Sequence, residues 1–203
     1  MNKIIKILIF SIIVLLGLLL LNKKNIDKNL VWKEYKNTDF GFSISYPENW
    51  HITEINDQIF PTISFSSTKL DSGSGFRRNI TSFVVLPNGF PTDGIPAETS
   101  LVTNRQISSS SIETNLLLSN SKQVFATLVK FSNRLHSKWS SDGFIIGRVE
   151  VKNYEVTCEL KKHIDLEQCD WTDGDIMISK GNISNESDRQ TIEHMLNSFK
   201  FID

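Results

Sequence analysis

Cysteine is nearly absent from this 203-residue chain, which has only Cys158 and Cys169. That excludes a disulfide-dense secreted scaffold. With four scattered histidines, His51, His136, His163 and His194, it also leaves no tetrahedral zinc set. Neither sign of charge prevails: 22 basic against 23 acidic side chains give −1, so no basic excess marks a nucleic-acid binder. No H-E-x-x-H frame, G-x-S-x-G elbow or phosphate-binding glycine loop occurs. No catalytic residue and no cofactor is therefore assigned, and the expectation is a non-enzymatic protein.

Long apolar runs are also missing, with one exception at the start. Ile4 to Leu21 is apolar except for Lys6, Ser11 and Gly17. As a helix rising about 1.5 Å per residue, such a run nearly matches the roughly 30 Å hydrocarbon layer of a bilayer. A helix also satisfies its own backbone in lipid. Residues 1–24 are thus read as a membrane anchor, 25–36 as a polar tether and 37–203 as a water-soluble body. A cleaved signal peptide is the competing reading. The length of the run and the absence of a small-residue site in Asn22-Lys23-Lys24-Asn25 count against it. Lysines flank the run on both sides, so charge does not orient it. A long following domain crosses regardless, which places the body outside the cytoplasm. Beyond Lys24 the chain keeps 18 basic and 23 acidic side chains, a net −5, which anionic lipid repels.

In the body, Phe40, Phe42, Ile44 and Tyr46 alternate with small residues, a half-buried strand closed by Pro47. Short strands are expected around Ile52, at Ile63 to Phe65 and over Ile80 to Leu86. Pro87 to Pro96 holds three of the five prolines and reads as a contact loop. Ala97 to Ile107 reads as a short helix. Ile112 to Leu118, Lys122 to Phe131, Phe144 to Val151, Tyr154 to Leu160 and Ile176 to Ser179 read as strands, with Asn153 turning a tight hairpin. Ser187 and Gln190 fit a capping box, and Ile192, Leu196 and Phe199 follow at helical spacing. Phe199-Lys200-Phe201 reads as the chain returning to a sheet edge. The fold class is α+β, an antiparallel sheet flanked by helices.

Tyr35 with Gly41-Phe42-Ser43-Ile44-Ser45-Tyr46-Pro47-Glu48-Asn49-Trp50 resembles the opening of PsbP-like domains and their bacterial relatives. Ile192, Met195-Leu196, Ser198-Phe199 and Lys200-Phe201 resemble their close. The resemblance implies an α/β/α sandwich and an exported or lumenal setting. The plant members' photosynthetic role is not carried over, because this chain bears an anchor instead of a transit peptide.

Asp165, Glu167, Asp170, Asp173 and Asp175 form the one dense acidic group. Their hard oxygens suit Ca²⁺, but the order is not that of an EF-hand, and turn aspartates also bond their own backbone. Cys158 and Cys169 suit either one disulfide between neighbouring strands or two free thiols. Arg77 and Arg78 follow a Gly/Ser turn and read as a solvated hairpin tip. Two functions follow. One is a membrane-anchored binding or assembly module whose partner is a protein or another component of the cell envelope. The alternative is a Ca²⁺-dependent binding domain or hydrolase built on residues 165–175.

Overall fold

A computed structural model describes residues 30–70, 79–89, 100–103, 111–131, 137–159 and 176–202. The chain divides into two compact units, Met1–Leu30 and Val31–Asp203. The described residues belong almost wholly to the second, and among them the structure is antiparallel β with one helix.

Seven strands make the main sheet: β3 (His51–Ile55), β4 (Thr62–Ser66), β5 (Ser82–Leu86), β6 (Ser100–Thr103), β7 (Ser111–Leu117), β8 (Val124–Phe131) and β9 (Phe144–Arg148). Their order is β3-β4-β5-β9-β8-β7-β6. A second sheet has β1 (Trp32–Asn37) and β12 (Lys200–Phe201) on either side of β2 (Phe42–Pro47). The strands β10 (Val151–Glu159) and β11 (Ile176–Ile183) form a separate ribbon. The helix α1 (Glu186–Ser198) joins β11 to β12.

Alternation decides which side of the main sheet meets the rest. Phe65, Phe83, Ile145, Gly147 and Phe131 share one face by register. Tyr35 and Tyr46 of the small sheet pack on Phe65, while Phe199 packs on Phe131. Ile192 of α1 lies over Gly147, where a Cβ would collide with its Cγ2. The glycine is what lets the helix approach. β4, β5 and β9 are buried at every position, so both faces of the sheet centre are covered.

At one end of this core, Phe42, Phe131, Trp139, Phe199 and Phe201 sit with ring centroids 5.2–6.2 Å apart. Edge-to-face contacts predominate, as the ring quadrupoles favour. Trp139 Nε1 donates to Phe40 O at 2.7 Å, which satisfies the indole inside the cluster. β12 covers β2 only at Phe42 and Ser43. Beyond them, Ser45 N donates to the Ser198 hydroxyl of α1 at 3.0 Å. A helix side chain thus completes the sheet edge where the last strand stops.

Five expectations change. Residues 100–103, expected within a helix, pair with β7 as β6, since Thr103 and Val102 suit an extended backbone and the register Ser100↔Leu116 to Thr103↔Glu113 captures them. Asn153 does not turn a hairpin. It lies inside β10 with φ of 52° at a bulge between Lys152 and Glu155, and Asn tolerates that conformation. A hairpin cannot form there because β9 and β10 belong to different sheets. The helix cap is Asn185, whose side chain accepts from Ser187 N at 3.0 Å, rather than Ser187 itself. Only one helix lies among the described residues, so the flanking is one-sided there. Finally, the strand β1 occupies positions 32–36, which their polarity assigns to the tether.

Candidate functional site

The proposed acidic group, Asp165, Glu167, Asp170, Asp173 and Asp175, lies outside the described residues, as do Cys169, His136, His163, Arg77 and Arg78. Cys158 falls in β10, but its side chain is outside what is described. The anchor of residues 4–21 is likewise outside. Among the described residues, no helix is long and apolar enough to cross a membrane, and no three His, Cys, Asp or Glu side chains could hold a metal ion.

The described residues gather polar chemistry in three places. The first is a row across the main sheet. His51 faces Ser66, Ser66 faces Ser82, and Ser82 faces Arg148 on successive strands. Ser66 and Ser82 are fully buried and Arg148 is 9% exposed. A serine beside a histidine invites a nucleophile reading. The Ser66 hydroxyl, however, donates to Thr68 O at 2.8 Å, so its proton is committed to the backbone rather than to His51. The row closes a turn instead of activating an oxygen.

The second place joins the two sheets. Tyr35 on β1 donates its phenol proton to Glu54 Oε1 on β3 at 2.6 Å and accepts from Asn37 Nδ2 at 3.0 Å. Burial and the Glu54 hydrogen bond push the phenol up to about 12. At neutral pH it is a fixed donor, and Glu54 is turned towards the second sheet of its own chain.

The third lies at the start of α1. Asp188 accepts from the Thr81 hydroxyl, and Asn185 Nδ2 reaches its other oxygen at 3.3 Å. Thr81 Oγ1 in turn accepts from Glu150 N at 3.0 Å. Burial, with the Glu150 charge, raises the Asp188 carboxyl despite the opposing Thr81 bond. The cluster ties the helix start to β5 and to the crossover between β9 and β10. Thr81 is 1% exposed, so the cluster is closed off from solvent on that side.

His194 packs on Trp32 with ring centroids 3.9 Å apart, and burial lowers its imidazole from the usual range. The Pro87 to Pro96 loop is described only at 87–89. There Asn88 Nδ2 donates to Ile59 O at 3.1 Å and Gly89 holds φ of 79° against Asp142. The start of that loop is therefore pinned to the β3–β4 connection.

No family model matches the chain, no curated protein matches it, and no solved structure matches it.

The residue pattern gave no warning of the outer strand β3 as a surface. It carries no Lys, Arg or Pro, and Ile52 and Ile59 beside it are 36% and 66% exposed. Its signal was visible in His51-Ile52-Thr53-Glu54-Ile55 as a short alternating strand, but not its place at the end of a sheet.

Proposed function

We propose that this chain is a non-catalytic binding or assembly module, held at the membrane by residues 4–21 with its folded body outside the cytoplasm. The observation that carries this reading is the spacing of its parts. An apolar run ending at Leu21 is followed by a compact unit that begins at Val31. A polar stretch between the run and the unit suits an anchor followed by a separately folded body. The partner in this reading is a protein or other envelope component.

A PsbP-like body fits the same proposal. The two stretches that carry that resemblance lie side by side, Phe42 opposite Phe201 and Ser43 opposite Lys200. A family signature split between the two ends of a domain makes structural sense when those ends pair.

The test is fractionation of the full-length chain in its own cells. The expected result is retention in the membrane after alkaline carbonate washing, with the body digested by protease added outside the cytoplasm. Recovery of the intact chain, first residues included, in the cytosol overturns the proposal. Added Ca²⁺ is expected to leave the melting temperature of the purified chain unchanged. A rise would favour a calcium-binding reading of the acidic group, because an ion that binds only the folded state stabilises it.

A further inference from the structure

We propose that Asn88 is a site of spontaneous deamidation, and that its conversion to aspartate or isoaspartate unfastens a contact shared by three segments of the fold. The inference goes beyond membrane tethering and does not require it.

Two turns make the contact. Leu86 to Gly89 closes β5, with Gly89 N donating to Leu86 O at 3.1 Å. Residues 139–143 lead into β9, with Gly143 N donating to Ser140 O at 3.2 Å. Ser140 N donates to Pro87 O at 3.0 Å, which locks one turn to the other. Each turn needs its glycine because of its neighbour. A Cβ at 89, where φ is 79°, would lie 2.6 Å from Asp142 O, and a Cβ at 143 would run into Pro87 O. Asn88 ties this pair of turns to the β3–β4 connection, its Nδ2 donating to Ile59 O at 3.1 Å. Packing therefore fixes a glycine behind an asparagine that the contact itself uses. Asn88-Gly89 is also the one Asn-Gly pair in the chain.

Such a pair carries its own chemistry. Gly89 N, on losing its proton to hydroxide, attacks Asn88 Cγ. The N–Cγ bond forms, the Cγ–Nδ2 bond breaks, and Nδ2 leaves as ammonia with a proton taken from water. The product is a cyclic succinimide, which water opens at either carbonyl. Breaking the N–Cγ bond gives aspartate. Breaking the bond from the residue 88 carbonyl carbon to Gly89 N gives isoaspartate, with the main chain rerouted through Cγ. Glycine has no side chain to obstruct the attack, and water is the only co-reactant. The place is open to solvent: Asn88 is half-buried, and the Asp142 side chain against Gly89 is 73% exposed. The restraints are two hydrogen bonds at the surface, Gly89 N to Leu86 O and Asn88 Nδ2 to Ile59 O. Bonds of that kind open in local fluctuations without global unfolding, so the fold slows the reaction and does not forbid it.

Either product undoes the contact. An ionised carboxylate has no proton to give Ile59 O and faces that carbonyl as a second acceptor. Isoaspartate lengthens the backbone where Gly89 and Asp142 already leave no room for a Cβ.

The test ages the purified full-length chain in warm, mildly alkaline buffer made with heavy-oxygen water, followed by peptide mapping in a mass spectrometer. Asn88 is expected to convert first among the described asparagines and to take up heavy oxygen. In denaturant, where both restraining bonds are gone, it is expected to convert faster still. Asp142-Gly143 has the same following glycine but a carboxylate in place of the amide, which resists attack, and is expected to isomerise more slowly. Asn88→Gln keeps an amide but requires a larger ring, and is expected to stay unchanged. Asn88→Asp reproduces one product and is expected to melt roughly 2–4 °C below the parent, with the aged chain shifting towards it. An Asn88 that remains an amide in the folded chain after the denatured chain has converted, or that lags another described asparagine, overturns the site. An Asn88→Asp chain that melts with the parent overturns the unfastening.

Discussion

Gly147 leaves the space on the main sheet into which Ile192 of the helix packs. A methyl there collides with Ile192 Cγ2 and meets Phe83 Cδ2 at 3.4 Å. Gly147→Ala is expected to destabilise the fold by about 1–3 kcal/mol, measured by denaturant titration, through overpacking. Because the clash is with the β-branch of Ile192, Gly147→Ala with Ile192→Leu is expected to cost less than the two single changes added together. Asp188 gives a prediction in pH. Its folded carboxyl is raised by burial and by Glu150, so the native state keeps a proton that the unfolded chain has already released. Stability therefore falls as pH rises from the ordinary aspartate value, about 3.9, through the raised one. Asp188→Asn keeps an acceptor for Thr81 and removes the titration. The variant's stability relative to the parent is expected to climb across that window in melts at stepped pH. Neither residue was legible beforehand. Gly147 sits in an apolar run, and its partner is 45 positions away on another element. Asp188 reads in sequence as part of a capping box, yet its contacts are to Thr81 and to Asn185.

At the scale of elements, the helix start separates two readings of one stretch. Asn185 accepts from Ser187 N, and the first turn holds Glu186 and Asp188 beside the positive end of the helix dipole. Asn185→Ala is expected to cost about 1 kcal/mol in thermal or denaturant melts, while Ser187→Ala costs a few tenths at most. The reverse order would restore the capping box that hydroxyl and Gln spacing suggested. The helix itself was legible because Ile192, Met195, Leu196 and Phe199 recur at the period of a buried face and are all 4% exposed or less. The strand β2 was legible from the period of two in Phe42, Ile44 and Tyr46, but it is not half-buried as that alternation suggested, since Ser43 is buried as well. The residues of β6 misled because a four-residue strand carries too little pattern to show its period. Only its pairing with β7, which sequence does not display, fixes it as extended. The crossover at Val149 and Glu150 was hidden similarly, since an unbroken strand-like run says nothing of a change of sheet.

For the whole molecule, the two ends of the folded unit meet on β2. β1 pairs along one side of it and β12 along the other. Phe199, 4% exposed, fills the cluster with Phe42, Phe131 and Trp139, and Phe201 leans on Phe131 and Trp139. Phe199→Ala is expected to cost about 3–5 kcal/mol, and Phe201→Ala, which is less buried, clearly less. Domains commonly have only about 5–15 kcal/mol in hand, so ending the chain at Ser198 is expected to leave it unfolded, as read by circular dichroism and protease sensitivity.

The pairing of Phe42 with Phe201 also sets the moment at which folding can finish. β2 gains its second neighbour only after Lys200 and Phe201, 157 and 159 positions beyond their partners Ser43 and Phe42, have left the ribosome. Until then the edge of β2 at Phe42 and Ser43 stays open, so this seam is among the last parts of the fold to close.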